Sequence, residues 1–175
     1  MAIKTIFLDR DGVINKEVNY LYRIEEFVFL DGIFEACNYF QSIGFEIIII
    51  TNQSGIAQGF YSKNDFKILT DWMLEQFQNK NIKILDIFYC PHSQNSHCNC
   101  RKPMPGMILE AQKKHGIDLN LSWMIGDKES DIISANAAGV KNTILLRSGH
   151  KIDENSSRAS FIENSILETL NTIIN

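Results

Sequence analysis

Asp9 and Asp11 stand two positions apart, the first where an apolar run ends and the second in the turn that follows. Two carboxylates that close raise one another's pKa unless a cation compensates. A hard dication with oxygen ligands is the economical partner, and Asp127, at the end of another apolar run, supplies a third carboxylate. Mg²⁺ suits this set, because it takes one or two carboxylates and keeps its other positions for water and phosphate oxygens. The neighbouring groups suit a phosphoryl group: the Thr51 hydroxyl, the backbone amides of Asn52, Gln53, Ser54 and Gly55, and the cations Arg101 and Lys102. Phosphoryl transfer asks chiefly for positioning and charge neutralisation, and this inventory offers both. Asp9, on a rigid strand end, can attack phosphorus as a carboxylate nucleophile. Asp11, in the turn, can protonate the leaving oxygen and later deprotonate the attacking water. Any one of these residues alone is a common turn former. Their joint placement at successive strand ends is what points to a site.

A second constellation is Cys90-Pro91-His92 followed by Cys98-Asn99-Cys100. Three thiols and an imidazole in two close pairs are what a tetrahedral Zn²⁺ requires. His97 is a spare imidazole; His92 is preferred because it pairs symmetrically with Cys90. A filled Cys₃His shell leaves no open position, so this zinc is expected to be structural. It would order a loop with little apolar content and aim the adjacent Arg101 and Lys102. Cys37 lies on an apolar helix face and reads as core.

The elements that must hold these groups alternate in kind. Ile3–Leu8, Phe45–Ile50, Ile84–Tyr89, Trp123–Ile125 and Thr143–Leu146 are short and apolar on both faces, as strands of a covered parallel sheet are. Asp86 interrupts the third, which places it nearer an edge. Between them run helical patterns: Ile33, Phe34, Cys37 and Phe40 before Gly44; Phe66, Leu69, Met73 and Phe77 behind a Ser62/Asp65 capping box. Pro105 opens another, in which Ile108 and Leu109 pack inward and Gly116 closes the helix. Ile132, Ile133 and Ala137 make a short helix, and Ile166, Leu167, Leu170 and Ile174 a final one. The pattern predicts an α/β three-layer sandwich around a parallel, Rossmann-like sheet. Sites in such sheets lie at the carboxyl ends of strands, where Asp9, Thr51 and Asp127 fall. Residues 12–50 are used up by a loop, a helix and a strand, so the fold is expected to be capless, with the zinc-bound loop as its wall.

At 175 residues the chain is expected to be one domain, residues 1–175. A net charge of −4 offers no basic field for nucleic acid or an acidic membrane. No apolar run approaches a bilayer span, and the N-terminal stretch does not read as a secretory signal. The expectation is a cytoplasmic monomer acting on a small molecule. Residues 148–162 read as a surface loop.

Asp9-Arg10-Asp11-Gly12-Val13, then Thr51-Asn52, then Lys102, then Gly126-Asp127-Lys128-Glu129-Ser130-Asp131 resemble the four ordered motifs of the haloacid dehalogenase superfamily of phosphatases. The resemblance implies Asp9 as nucleophile, Asp11 as acid and base, and Thr51 and Lys102 as phosphoryl stabilisers. It implies Asp9, Asp127 and the Asp11 backbone carbonyl as Mg²⁺ ligands, with Asp131 behind them. With the zinc loop (Cys90, His92, Cys98, Cys100) and Pro103-Met104-Pro105-Gly106-Met107, the chain is similar to a smaller group, the heptose bisphosphate and histidinol-phosphate phosphatases. The heptose branch is the better match, since its members are typically stand-alone chains of this size. That branch implies an Mg²⁺-dependent removal of the 7-phosphate of D-glycero-D-manno-heptose 1,7-bisphosphate. It also implies sugar contacts at Glu17, Val18, Asn19 and Tyr20, and Arg101 reading the distal phosphate or sugar. Arg10, Asn52, Gln53, Ser54 and Lys128 complete the expected substrate contacts. The zinc loop, with residues 93–97 between its two ligand pairs, is shorter than the heptose branch usually carries.

Two rivals remain from other classes. A receiver-type signalling domain also combines acidic residues, Mg²⁺, Thr and Lys, but that family accepts phosphate after its third strand, whereas the acidic pair here follows the first. A zinc-stabilised nucleic-acid module is disfavoured by the charge.

Overall fold

Ile6 and Leu8 point to one side of their strand and Phe7 to the other, and all three are fully buried, so the strand must be covered on both faces. The computed structural model describes residues 2–174; Met1 and Asn175, the ends of the expected domain, lie outside the described residues. Six strands occur among the described residues: β1 Thr5–Leu8, β2 Glu46–Asn52, β3 Ile84–Cys90, β4 Trp123–Gly126, β5 Asn142–Leu146 and β6 Phe161–Glu163. They form one sheet in the order β3-β2-β1-β4-β5-β6, parallel throughout.

Helices α1 (Ile33–Ser42) and α2 (Lys63–Gln78) cover the face that carries Ile6, Leu8, Ile47 and Ile49. Helices α3 (Gly106–His115) and α4 (Glu129–Ala138) cover the face of Phe7, Ile48, Ile50 and Met124. This is the expected three-layer α/β sandwich. The Ser62 capping box is present, with the Asp65 amide donating to Ser62 Oγ at 3.1 Å and the Ser62 amide to Asp65 Oδ2 at 2.8 Å. Cys37 is buried in the first core, and β3, interrupted by Asp86, is an edge strand. Residues 12–50 and 53–83 hold loops, a 3-10 turn at Ile24–Glu26, α1, α2 and β2, with no inserted cap among the described residues. No helix among the described residues is long and apolar enough to cross a membrane.

Four local expectations need correction. The final helix is only α5, Thr169–Thr172; of its expected apolar face Ile166 is buried and Leu170 packs against the first core, but Ile174 is exposed and Ile173 takes the buried position instead. A short segment with β-branched Thr and Ile does not propagate a helix easily, and turns suffice to bury Ile166 and Ile173. Leu109 is exposed, because Met107, Ile108 and Ala111 form the inward face of α3. In α4 the inward apolar residues are Ile132 and Ala135, and Ala137 faces solvent. Residues 148–162 are not wholly loop: Phe161 and Ile162 begin β6, whose three residues are too few to show a period.

Candidate active site

The strand order reverses between β1 and β4, and ligands of such sheets bind where it does. Asp9 follows β1 directly and Asp127 follows β4, on adjacent strands at that switch point. Between Asp11 and Asn15 the chain makes a tight turn, in which Gly12 takes φ +91°. A Cβ at Gly12 would lie 2.3 Å from Asp127 Oδ2, so only glycine lets the two loops meet.

Lys102 lies at the centre of the polar cluster. Its ammonium is buried, 2.9 Å from Asp9 Oδ1, 2.6 Å from Asp131 Oδ1 and 2.8 Å from the Ile50 carbonyl. Its backbone is fixed by Asn52, which accepts from the Lys102 amide and donates to the Lys102 carbonyl, both at 3.1 Å. Asp9 Oδ1 also accepts from the Arg10 amide at 2.7 Å, and no hydrogen bond to Oδ2 is found among the described residues. Burial pushes Asp9 up to about 6; Lys102 opposes that rise and the nearby Asp131 adds to it. Burial on its own would lower Lys102, but Asp131 and Asp9 more than offset it and hold the ammonium above the ordinary lysine range. Asp127 is raised by burial and then by Asp9.

Carboxylate oxygens of Asp9, Asp127 and Asp131 lie within 4.8 Å of one another, and all three residues are buried. Asp127 Oδ1 is buried with no hydrogen-bond partner among the described residues. Three buried carboxylates facing one lysine leave the cluster short of positive charge, so the donor set fits a hard dication. The Asp11 carboxylate stands outside this cluster. It accepts from both Arg10 Nη2 (2.9 Å to each oxygen) and Asn15 Nδ2 (3.0 Å), and from Gln53 Nε2 at 3.1 Å. Gln53 also donates to Thr51 Oγ1 at 2.9 Å and accepts from the Tyr61 hydroxyl. Thr51 is buried beside it.

Above these groups opens a cleft of about 850 Å³. Of the expected substrate contacts, Glu17, Val18, Asn19, Tyr20, Asn52, Gln53, Ser54, Arg101 and Lys128 all border it, together with Asp9, Asp11 and Lys102. Arg10 borders it too; its Nε and Nη2 brace Asp11, and Nη2 reaches the Leu21 carbonyl at 3.3 Å, while Nη1 is buried without a hydrogen-bond partner among the described residues. Tyr20 adopts φ +57° and stacks on Phe60 with ring centroids 4.3 Å apart, so this loop is tied to the segment after β2.

The second cluster is also assembled. One ligand atom from each of Cys90, His92, Cys98 and Cys100 falls within 4.8 Å of the others, and the cysteines form no disulfide. Sulfur and nitrogen are separated by 3.0 to 3.6 Å in the Cys90–His92, Cys90–Cys98, Cys90–Cys100, Cys98–Cys100 and His92–Cys100 pairs. Ligands about 2.3 Å from a tetrahedral zinc stand roughly 3.8 Å apart, so the cage is close to the required size. At Cys98 burial acts upward, yet hydrogen bonds from Ser96 and the Arg101 backbone outweigh it and pull the thiol down to about 6. His97 lies outside the cluster, at the rim of the cleft. Arg101 Nη1 donates to the His92 carbonyl at 3.3 Å, which joins the cage to the cleft.

Sequence reasoning missed Tyr61, Ser148 and His150, and gave Asp131 a lesser part than its contact with Lys102 indicates. Ser148 Oγ donates to the Gly12 carbonyl at 2.8 Å, and His150 contacts Asp127. Nothing in the spacing of Ser148-Gly149-His150 marks these contacts, which arise from a loop folding back across the sheet edge.

Glu17 is half-buried. Burial first and Asp11 next push it up to about 7, against Lys128 and His150. A folded-state pKa above the ordinary 4.5 means that the folded protein resists ionising this group. The resulting penalty is absent below the unfolded pKa, grows between the unfolded and the folded value, and is complete above the folded one. Thermal melts of Glu17→Gln without Mg²⁺ are therefore expected to show a gain in Tm at pH 8 and none at pH 4.5. Equal shifts at the two pH values would contradict this.

Residues 99–173 match a family model described as HAD-hydrolase-like. The chain is 46% identical to a D-glycero-alpha-D-manno-heptose-1,7-bisphosphate 7-phosphatase of Photorhabdus laumondii, covering 93% of this chain and 92% of the relative. It is 39% identical to a D-glycero-beta-D-manno-heptose-1,7-bisphosphate 7-phosphatase of Pasteurella multocida, covering 95% and 92%. Among solved structures, the D,D-heptose 1,7-bisphosphate phosphatase of B. bronchiseptica, complexed with magnesium and phosphate, superposes with a TM-score of 0.85 at 26% identity over 97% of both chains.

Proposed function

The chain belongs to the heptose-1,7-bisphosphate 7-phosphatase family of HAD-like hydrolases, and we propose that it removes the 7-phosphate of D-glycero-D-manno-heptose 1,7-bisphosphate on the route to nucleotide-activated heptose. The observation that carries the mechanism is the placement of Lys102 between Asp9 and Asp131, beside the Asp9–Asp127–Asp131 cluster and open to the cleft.

Asp9 Oδ2, which makes no hydrogen bond among the described residues, attacks phosphorus, and the bond from phosphorus to the sugar oxygen breaks. Asp11, oriented by Arg10, Asn15 and Gln53, delivers its proton to that leaving oxygen. In the second half the same carboxylate takes a proton from water, which attacks the aspartyl-phosphate and frees inorganic phosphate and Asp9. Lys102 and the Thr51 hydroxyl stabilise the phosphoryl oxygens. Mg²⁺, held by Asp9, Asp127 and the Asp11 backbone carbonyl, supplies charge neutralisation when bound. The Cys₃His cage takes a structural Zn²⁺ that shapes the wall of the capless cleft, with Glu17, Val18, Asn19 and Tyr20 opposite it for the sugar. Arg101 suits the distal phosphate, because a planar guanidinium binds phosphate through two parallel hydrogen bonds. As a single catalytic domain the protein is proposed to act as a monomer in the cytoplasm, where a reducing medium keeps the clustered thiols available to zinc.

Phosphate release with Mg²⁺ on both anomers of heptose 1,7-bisphosphate and on histidinol phosphate tests the proposal. Fast release from a heptose anomer is expected. Preference for histidinol phosphate would retain the chemistry and overturn the substrate; release from none of the three would overturn the function.

A further inference from the structure

Beyond β5 the chain does not leave the sheet edge. Ser148 hooks to the Gly12 carbonyl, and Gly149 then passes so near Asp127 that a Cβ there would lie 2.1 Å from Oδ2. This close passage brings His150 onto the buried carboxylate. The His150 amide donates to Asp127 Oδ2 at 3.0 Å, and His150 Nδ1 lies 2.6 Å from the same oxygen. An ionised carboxylate only accepts, so Nδ1 is the donor. Both hydrogen bonds fall on Oδ2, while Oδ1 is buried with no partner among the described residues. The other edge of the imidazole faces the cleft, with Nε2 3.9 Å from Glu17 Oε1.

We propose that His150 is a positioning residue of the cation site: by holding Asp127 Oδ2 from two directions it fixes the carboxylate so that Oδ1 is the oxygen offered to the metal. The inference rests on the reading of Asp127 as a Mg²⁺ ligand. A carboxylate is a two-fold rotor, and without a tether it must be ordered at the moment the metal binds. Two hydrogen bonds to one oxygen impose that order in advance, which is the service that groups behind a metal ligand commonly perform. The imidazole contributes the side-chain half of the tether. It is partly exposed, so it can be replaced without opening a cavity in either core.

The test is direct cation binding to the zinc-loaded full chain without substrate. Mg²⁺ is titrated by calorimetry and Mn²⁺ by electron paramagnetic resonance, with melting curves confirming the fold of each variant. His150→Ala is expected to weaken Mg²⁺ binding about 10- to 100-fold. His150→Asn, whose side-chain amide can place a donor near the position of Nδ1, is expected to restore most of that loss. At saturating Mg²⁺ the activity of His150→Ala is expected to recover, which a general structural defect would not allow. Unchanged or tighter binding by His150→Ala would overturn the inference, as would failure of both His150→Asn and excess Mg²⁺ to compensate. Asp127→Asn separates the two readings. If it loses the cation while His150→Ala keeps it, the positioning role alone falls; if Asp127→Asn binds like wild type, the cation-site reading falls, and this inference with it.

Discussion

Asp9→Asn is expected to abolish turnover, with kcat down by at least about 10⁴-fold, as for loss of a nucleophile that acts as part of a unit. The same substitution is expected to leave the melting temperature unchanged or raised in the absence of Mg²⁺. Burial first, with Asp131 and Asp11 adding to it against Lys102, pushes Asp9 up to about 6, so a neutral side chain of the same shape removes the cost of burying a charge there. Lys102 keeps Asp131 and the Ile50 carbonyl as partners. Loss of chemistry without loss of stability is the signature of a group kept for reaction. Asp11→Asn is expected to behave differently. On a sugar phosphate, whose leaving alkoxide needs a proton, the rate falls about 10²- to 10⁴-fold. On an aryl phosphate, whose leaving group needs none, the first step survives and hydrolysis of the aspartyl-phosphate becomes limiting. Acid quench of Asp11→Asn with labelled aryl phosphate should then trap label on the protein, and Asp9→Asn should trap none. Equal phosphate release by Asp9→Asn and wild type would refute the assignment of the nucleophile.

The contrast between those two aspartates was open to reading because both sit in one short segment at a strand end. Asp9, Thr51 and Asp127 each follow an apolar run that can only be a buried strand, and a parallel sheet brings the ends of its strands to one edge. Their convergence was therefore legible before any contact was seen. The edge position of β3 was legible too, since Asp86 could not be tolerated in a strand covered on both faces; it pairs instead with Lys114 and His115 at the end of α3. What stayed hidden depends on loop paths rather than local pattern. Arg10 has the residue type of a phosphate ligand, and only the tight turn at Gly12 brings its guanidinium back onto Asp11. His150 is reached by a chain reversal after β5 that no periodicity encodes. α5 is short because turns suffice to bury Ile166 and Ile173; without the full helix the register slips by one, and Ile173 is buried where the helical period pointed to Ile174.

Removing the zinc proposed for the Cys90–His92–Cys98–Cys100 cage is expected to raise KM more than it lowers kcat. The two adjacent cations are held differently. Lys102 does not depend on the cage: Asn52 grips its backbone, and Asp9, Asp131 and the Ile50 carbonyl hold its ammonium. Arg101 does depend on it, since its guanidinium leans on the His92 carbonyl inside the cage. Stripping the metal, or replacing Cys98 by Ser, frees the loop and with it Arg101, while the groups proposed to touch the transferring phosphoryl stay in place. A lost charge-assisted hydrogen bond is worth about 1.5–3 kcal/mol, so KM for the bisphosphate should rise by roughly 10- to 100-fold. A substrate lacking the distal phosphate should show a much smaller change. Cys98 and Cys100 pack only against the margin of the second core, so the melting transition should move down yet remain a single cooperative step. One zinc per chain by elemental analysis is the companion measurement. An unchanged KM after chelation would refute the cage's part in gripping the substrate, and a fall in kcat as deep as that of Lys102→Ala would show that it serves the chemistry instead. The division of labour inferred here, with catalysis on the rigid strand ends and recognition on a metal-ordered loop, is how a capless cleft can select its substrate without an enclosing domain.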